Sequence, residues 1–102
     1  MGMLMTGNRI SAEKALQYGL VNEVVAASDL DATVDRWAQQ ILKCAPLSVK
    51  AIKESVKETL DLTPAEAQAK RLPSLIAALA SEDADEGPRA FREKRAPVWK
   101  GR

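Results

Sequence analysis

Only one segment of this sequence has the pattern of a β-strand, and nothing else in the chain could pair with it. Residues 20–25 read LVNEVV, which changes from apolar to polar at Val21–Asn22 and back at Glu23–Val24 before ending in a β-branched pair, a pattern that favours a short strand. A strand without a neighbour leaves its backbone N–H and C=O groups unpaired. The sequence therefore predicts a mainly α-helical protein with one short strand, at residues 21–25, that is completed from outside the chain.

The remainder of the sequence carries the start and stop signals of helices. Ser11 is suited to cap a helix that Gly19 ends, since glycine readily adopts the left-handed conformation found just beyond a helix. In LTPAEA, Thr63 precedes a proline and lies three residues before Glu66, which is the pattern of a capping box. One apolar stripe with helical spacing consists of Leu30, Val34, Trp37, Ala38, Ile41 and Leu42.

Further helix boundaries are predicted from serines, glycine and prolines. Ser28 is expected to cap the helix that carries the apolar stripe. The helix begun in LTPAEA is expected to run to about residue 79, with a kink or an end at Pro73. Gly87 and the proline after it are expected to open a last helix that Pro97 terminates. Pro46 is expected to open a helix that buries Val49, Ile52, Val56 and Leu60.

Composition limits the functions open to the chain. With 102 residues, of which 46% are hydrophobic, it can support one modest core. A net charge of +1 gives no general attraction to nucleic acid or to a membrane surface. The sequence contains no histidine, which excludes histidine-based triads and most zinc sites. The single cysteine, Cys44, fits a reducing compartment such as the cytoplasm and is interpreted as packing rather than as a nucleophile.

The chain also carries signs of being a piece of a longer protein. The opening MGMLM is apolar and has no capping residue, and LMTG has the pattern of a helix end rather than a helix start. Together with the unpaired strand, this predicts that a preceding part is missing. In the alternative interpretation, Met1 is a true start with a frayed terminus. No apolar run approaches the roughly 20 residues that cross a bilayer.

Two motifs resemble the crotonase family, the enoyl-CoA hydratases and isomerases. Residues 81–102, SEDADEGPRAFREKRAPVWKGR, are similar to that family's closing pattern, and the final PVWKGR is similar to the ending of its carnitinyl-CoA dehydratases. The first motif lies in LMTGNRISAEKALQYGLVNEVV. Its matching positions are Thr6, Gly7, Ile10, Ala12, Ala15, Gly19, Leu20, Val21, Val24 and Val25.

The resemblance implies the C-terminal portion of an acyl-CoA lyase or isomerase. Residues 1–25 would be the last segment of the crotonase core, and residues 26–102 the helical region through which subunits form trimers or hexamers. The family's catalytic carboxylates and oxyanion-hole amides lie earlier in its sequence. We therefore expect no catalytic residue and no metal ligand here, and no activity from this chain alone.

By resemblance, the closing helix reaches the coenzyme A (CoA) bound by a neighbouring subunit. The matching residues are Phe91 and Lys94, with Leu75 one helix earlier as an additional apolar contact. A ring can stack on the adenine while the ammonium meets a CoA phosphate. CoA would be part of the acyl-CoA substrate rather than a separate cofactor. In the alternative interpretation, Phe91 packs in a core and Lys94 is solvated.

The charged C-terminal segment admits other interpretations. The acids in SEDADE are interpreted as a helix start after Ser81, where negative charge is favourable, rather than as catalytic groups. Trp99 is expected to anchor the C-terminus against another surface. A stand-alone helical interaction module remains the alternative to the enzyme fragment. RNA binding is disfavoured because the segment lacks a stacking platform and the chain lacks overall basicity.

Overall fold

Seven α-helices and one 3₁₀ helix account for the regular structure in the computed structural model, which describes residues 1–102. The prediction of a mainly α-helical protein is confirmed. The elements are α1 (Gly2–Thr6), α2 (Ala12–Gln17), a 3₁₀ helix (Ala27–Asp29), α3 (Leu30–Leu42), α4 (Pro46–Thr59), α5 (Pro64–Ala69), α6 (Pro73–Leu79) and α7 (Glu82–Glu93). The chain divides into two compact units, residues 1–36 and 37–102. The predicted boundary after residue 25, between the last segment of a core and the helical region, stays a prediction.

The strand predicted at residues 21–25 does not form. This segment has no regular secondary structure, because a strand requires a partner for its backbone groups and the chain has no second extended segment to provide one. Val24 and Val25 are half-buried. The Glu23 carboxylate accepts a hydrogen bond of 2.5 Å from Arg36.

The caps of the first unit follow the sequence. The Ser11 hydroxyl accepts a 3.2 Å hydrogen bond from the Lys14 backbone N–H, which begins α2. Gly19, with φ of 70°, lies just beyond the end of that helix, and the next N–H, from Leu20, reaches the Ala15 carbonyl at 2.9 Å. Glycine is suited to this left-handed position because it has no side chain to clash.

Prolines start three helices of the second unit. Pro46, Pro64 and Pro73 each lie in the first turn of a helix, where the missing N–H costs nothing. The helix expected to run from LTPAEA to residue 79 is therefore two helices. The predicted capping box is confirmed, since the Thr63 hydroxyl accepts from the Glu66 N–H and the Glu66 carboxylate accepts from the Thr63 N–H.

Two predicted helix starts are wrong. Ser28 lies inside the 3₁₀ helix and its hydroxyl donates to the Asp29 carboxylate. Gly87 and Pro88 do not open the last helix but lie within α7, which starts at Ser81. The Ser81 hydroxyl accepts from the Ala84 N–H at 3.2 Å, and three acids occupy the first turn. This start is stronger than one at Gly87 because capping and the helix dipole both favour it.

Small side chains form most of the fully buried core. It consists of Ala51, Leu72, Ala78 and Ala90. Helices α4 and α6 pack together, and the Ser74 N–H and hydroxyl both donate to the Glu54 carboxylate. Of the larger residues expected to be buried along α4, Val49 is half-buried, whereas Ile52, Val56 and Leu60 are exposed, with 63%, 60% and 77% accessible. The apolar faces of these helices therefore remain uncovered in this chain.

Thr63, which caps α5, and Ser28, which caps no helix, provide a matched test of this fold. Thr63→Ala should lower the free energy of unfolding by about 1 kcal/mol, since it removes the capping box. Ser28→Ala, which removes no cap bond, should change it by less than about 0.5 kcal/mol. Urea unfolding followed by circular dichroism measures both. Equal losses for the two variants would contradict the assignment of the caps.

Candidate functional site

The C-terminal tail, residues 95–102, folds back onto the start of α7. The centre of this contact is Asp83, whose side chain is buried with 4% of the residue exposed. Its two carboxylate oxygens accept the backbone N–H groups of Lys100, at 2.7 Å, and Gly101, at 2.9 Å. The Glu82 N–H donates to the Arg102 carbonyl at 2.7 Å. Backbone groups of the tail therefore find partners at the positive end of the helix.

Ion pairs connect the same two segments. The Glu82 carboxylate lies 2.6 Å from the Lys100 ammonium and 3.2 Å from the Arg102 guanidinium. The Glu86 carboxylate accepts two hydrogen bonds from the Arg95 guanidinium, at 2.5 and 3.0 Å, and a third from the Val98 N–H. The acidic run thus starts a helix, as predicted, and also binds the basic tail, which the sequence analysis missed.

These contacts shift the pKa values of the groups involved. The hydrogen bonds from Arg95, followed by the Val98 N–H, lower the pKa of Glu86 to about 2. Lys100 lowers the pKa of Glu82 through a hydrogen bond and its charge. Hydrogen bonds to Glu86 and Glu93 raise the pKa of the Arg95 guanidinium. At neutral pH all of these groups are charged.

Trp99 is the aromatic anchor of the tail, and its binding surface belongs to the same chain. The indole Nε1 donates to the Lys43 carbonyl at 2.8 Å. The ring lies beside Gly87, where a Cβ would be in ordinary van der Waals contact with it at 3.5 Å. The ring also borders a cavity of about 370 Å³ lined by Ile41, Leu42, Cys44, Pro46 and Val49.

Two backbone hydrogen bonds close the C-terminal end of α7. The Arg95 N–H donates to the Ala90 carbonyl at 3.1 Å and the Lys94 N–H to the Phe91 carbonyl at 3.2 Å, which together form a Schellman motif. Lys94 has φ of 54° and is the one non-glycine residue of the chain with positive φ. α2 ends with the same pair of bonds, but there Gly19 occupies the left-handed position.

The predicted CoA-contacting residues are partly brought together. Phe91 is 86% exposed, so it does not pack in a core of this chain, and Lys94 is exposed beside it at the end of α7. Leu75 lies instead on α6, in a groove of about 390 Å³ that neither Phe91 nor Lys94 lines. The groove is bordered by apolar and small side chains of α4 and α6, among them Ile52, Val56 and Leu79.

The basic residues of the C-terminal segment form two sets. Three of them pair with acids, namely Arg95, Lys100 and Arg102. The others, Arg89, Arg92 and Lys94, form no ion pair. The unpaired cations therefore lie on either side of the exposed Phe91 ring in the sequence. No group of three side chains that could hold a metal ion is found, and no helix is long and apolar enough to cross a bilayer.

Comparison with known proteins decides the family. Residues 1–102 match the family Enoyl-CoA hydratase/isomerase. This chain belongs to the enoyl-CoA hydratase/isomerase family. Among its relatives is carnitinyl-CoA dehydratase of Salmonella typhi, which is 48% identical in an alignment that covers 98% of this chain. The predicted resemblance is thereby confirmed at the level of the family.

Solved structures of this enoyl-CoA hydratase/isomerase family have the same fold. The chain superposes on the enoyl-CoA hydratase of Mycobacterium tuberculosis H37Rv with a TM-score of 0.87, at 35% identity over all of this chain. For the enoyl-CoA hydratase of Bacillus anthracis the TM-score is 0.89, at 31% identity over 99% of this chain. The chain spans only 40% of the dehydratase and 40% and 39% of the two solved hydratases.

The tail contact should depend on pH in the acidic range. The pKa of Glu86 is lowered from 4.5 to about 2 on folding, so its contribution to stability is complete above about pH 4.5 and is lost as pH falls toward 2. In a Trp37→Phe background, Trp99 fluorescence should therefore report weaker tail binding over this range. Glu86→Gln should make that loss shallower, and a pH profile unchanged by Glu86→Gln would contradict the assignment.

Proposed function

We propose that this chain is the C-terminal part of a cytoplasmic enzyme that acts on acyl-CoA thioesters. Its helices would form the interface between copies in a trimer or hexamer. Phe91 and Lys94 would contact the nucleotide end of CoA bound by a neighbouring subunit. The observation that supports this most directly is the exposed ring and the unpaired ammonium at the end of α7, in a segment whose other cations are partly neutralised.

Family membership supports the reaction class. The relatives are named as a carnitinyl-CoA dehydratase and as enoyl-CoA hydratases, and these names share water chemistry on CoA thioesters. Such chemistry requires carboxylates that handle water and the α-proton, and N–H donors for the enolate oxygen. We assign neither to this chain. Three of its clustered acids already accept hydrogen bonds from the tail, namely Glu82, Asp83 and Glu86.

The side chains at the end of α7 fit the nucleotide end of CoA. A phenyl ring offers a stacking surface for adenine, and an ammonium is a strong point charge for a phosphate. Because Phe91 makes no core contacts, adenine could stack on its ring without displacing any packing within this chain. CoA is then a portion of the substrate, and no separate cofactor is invoked. Leu75 is retained as a weaker candidate because it lies in the separate groove on α6.

The uncovered apolar surface supports assembly with other copies. Ile52 and Val56 of α4 and Leu79 of α6 border one groove and are each at least 60% exposed. A contiguous apolar surface of this kind marks an interaction site in soluble proteins. In the proposed enzyme this surface would be buried against the rest of the polypeptide and against neighbouring subunits.

A chimera tests the CoA contact in an active enzyme. This chain would replace the matching segment of the Salmonella typhi carnitinyl-CoA dehydratase, which is 48% identical. Phe91→Ala and Lys94→Ala should each raise KM for the acyl-CoA substrate roughly tenfold, the effect of losing one charged hydrogen bond or one stacking contact. The value of kcat should stay within about twofold, because neither residue contacts the reacting atoms.

Arg92→Ala is the matched control for that experiment. It removes an equally unpaired cation from the same helix, but on a face turned about 100° from Phe91. KM should then change by less than about twofold. If the chimera is active and KM is unaffected by both test variants, the proposed CoA contact is wrong. If Arg92→Ala raises KM as much as Lys94→Ala does, the effect of Lys94 reflects general positive charge alone.

Self-association of the chain tests the proposed interface. Sedimentation velocity should detect trimers or larger assemblies, and Val56→Asp should dissociate them, because a charge in an apolar interface is costly. Lys50→Asp on the far side of α4 is the control and should leave assembly unchanged. A chain that stays monomeric at all concentrations would contradict self-assembly and favour the alternative of a stand-alone helical module with a different partner.

A further inference from the structure

The two Schellman motifs of this chain differ in the residue at the left-handed position. Gly19 occupies it after α2, with φ of 70°, whereas Lys94 occupies it after α7, with φ of 54°. A side chain in the left-handed conformation is unfavourable relative to ordinary helical backbone, because Cβ comes too close to the following carbonyl oxygen. The sequence therefore keeps a lysine where glycine would be more stable. Something else in the structure must hold Lys94 in this conformation.

The residues on either side of Lys94 are fixed by one guanidinium. Arg95 donates from Nη1 and Nη2 to the Glu86 carboxylate at 2.5 and 3.0 Å, from Nε to Glu93 at 2.6 Å, and from Nη1 to the Ala96 carbonyl at 3.1 Å. Each of its three nitrogens thus has a partner. Lys94 lies between two residues, Glu93 and Arg95, whose side chains are joined to each other.

Glu86 is fixed as firmly as its partner. Only 14% of its side chain is exposed, and besides Arg95 it accepts from the Val98 N–H at 2.9 Å. It lies inside α7, two turns before the helix end. The Glu86–Arg95 pair therefore ties the reversed chain after Lys94 to the body of the helix. The Lys94 ammonium itself forms no ion pair.

We propose that Glu86 and Arg95 are positioning residues, which hold Lys94 in the left-handed conformation and so direct its ammonium toward a phosphate of CoA. The identification of CoA as the ligand rests on the proposed function, whereas the proposed effect of Glu86 and Arg95 on the Lys94 backbone does not. The planar guanidinium matters because two parallel N–H groups fix direction as well as distance. Arg95→Lys would keep the charge and lose that geometry.

The first measurement is the backbone conformation of Lys94 in the full chain, read by NMR from its Cα chemical shift and three-bond HN–Hα coupling. The wild-type chain should show the left-handed values, and Glu86→Gln and Arg95→Lys should both shift them toward a mixture. Glu82→Gln is the matched control, since it removes ion pairs of the same tail with Lys100 and Arg102 and should leave Lys94 unchanged. Unchanged values in Glu86→Gln, or equal shifts in Glu82→Gln, would overturn the proposal.

The second measurement is the affinity for CoA of the chimera with the Salmonella typhi dehydratase and of its variants, by isothermal titration calorimetry, because the proposed enzyme binds CoA mainly through residues of a neighbouring subunit outside this chain. If Glu86→Gln leaves about one-fifth of molecules with left-handed Lys94, the dissociation constant should rise about fivefold. Lys94→Gly keeps the left-handed backbone and removes the ammonium. If the chimera and its Lys94→Gly variant bind CoA equally, the proposed CoA contact fails, while the conformational readout alone still decides whether Glu86 and Arg95 position Lys94.

Discussion

The buried carboxylate of Asp83 is the interaction on which the C-terminal half of this chain depends. It accepts two consecutive backbone N–H groups of the tail from within the first turn of α7, where the helix dipole stabilises negative charge. A buried charge is tolerated only when such partners satisfy it. Those two bonds fix the path of the tail. Once that path is fixed, Trp99 reaches Lys43 and Arg95 reaches Glu86.

Local signals in the sequence were sufficient for most of the helical structure. The caps at Ser11 and Thr63 and the first-turn prolines Pro46 and Pro64 were predictable because a cap involves residues within a few positions of one another. The two main errors have different causes. Gly87 resembles a helix boundary in sequence, yet it lies inside α7, because the Ser81 cap and the acids of the first turn start that helix earlier. The segment at residues 21–25 has strand-forming residues, but strand formation depends on a partner.

Only part of the candidate site could be predicted from the sequence. Phe91 and Lys94 were named from the resemblance to the crotonase family. The hydrogen bonds that shape this end could not be predicted, because Glu86 and Arg95 are nine residues apart and meet only after the chain has reversed direction. The left-handed backbone of Lys94 could not be predicted either, because lysine has no preference for that conformation. Leu75 was grouped with the other two by resemblance, and the structure places it in a different groove.

The contacts of the tail differ in their sensitivity to dissolved salt. The pairs that Glu82 forms with Lys100 and Arg102 involve side chains that are more than half exposed, so mobile ions screen them effectively at high ionic strength. The bonds of Asp83 are sheltered from those ions. In concentrated electrolyte the outermost residues would therefore loosen first while the backbone bonds near Lys100 persist. The order of the C-terminus would thus vary with the ionic strength of its surroundings.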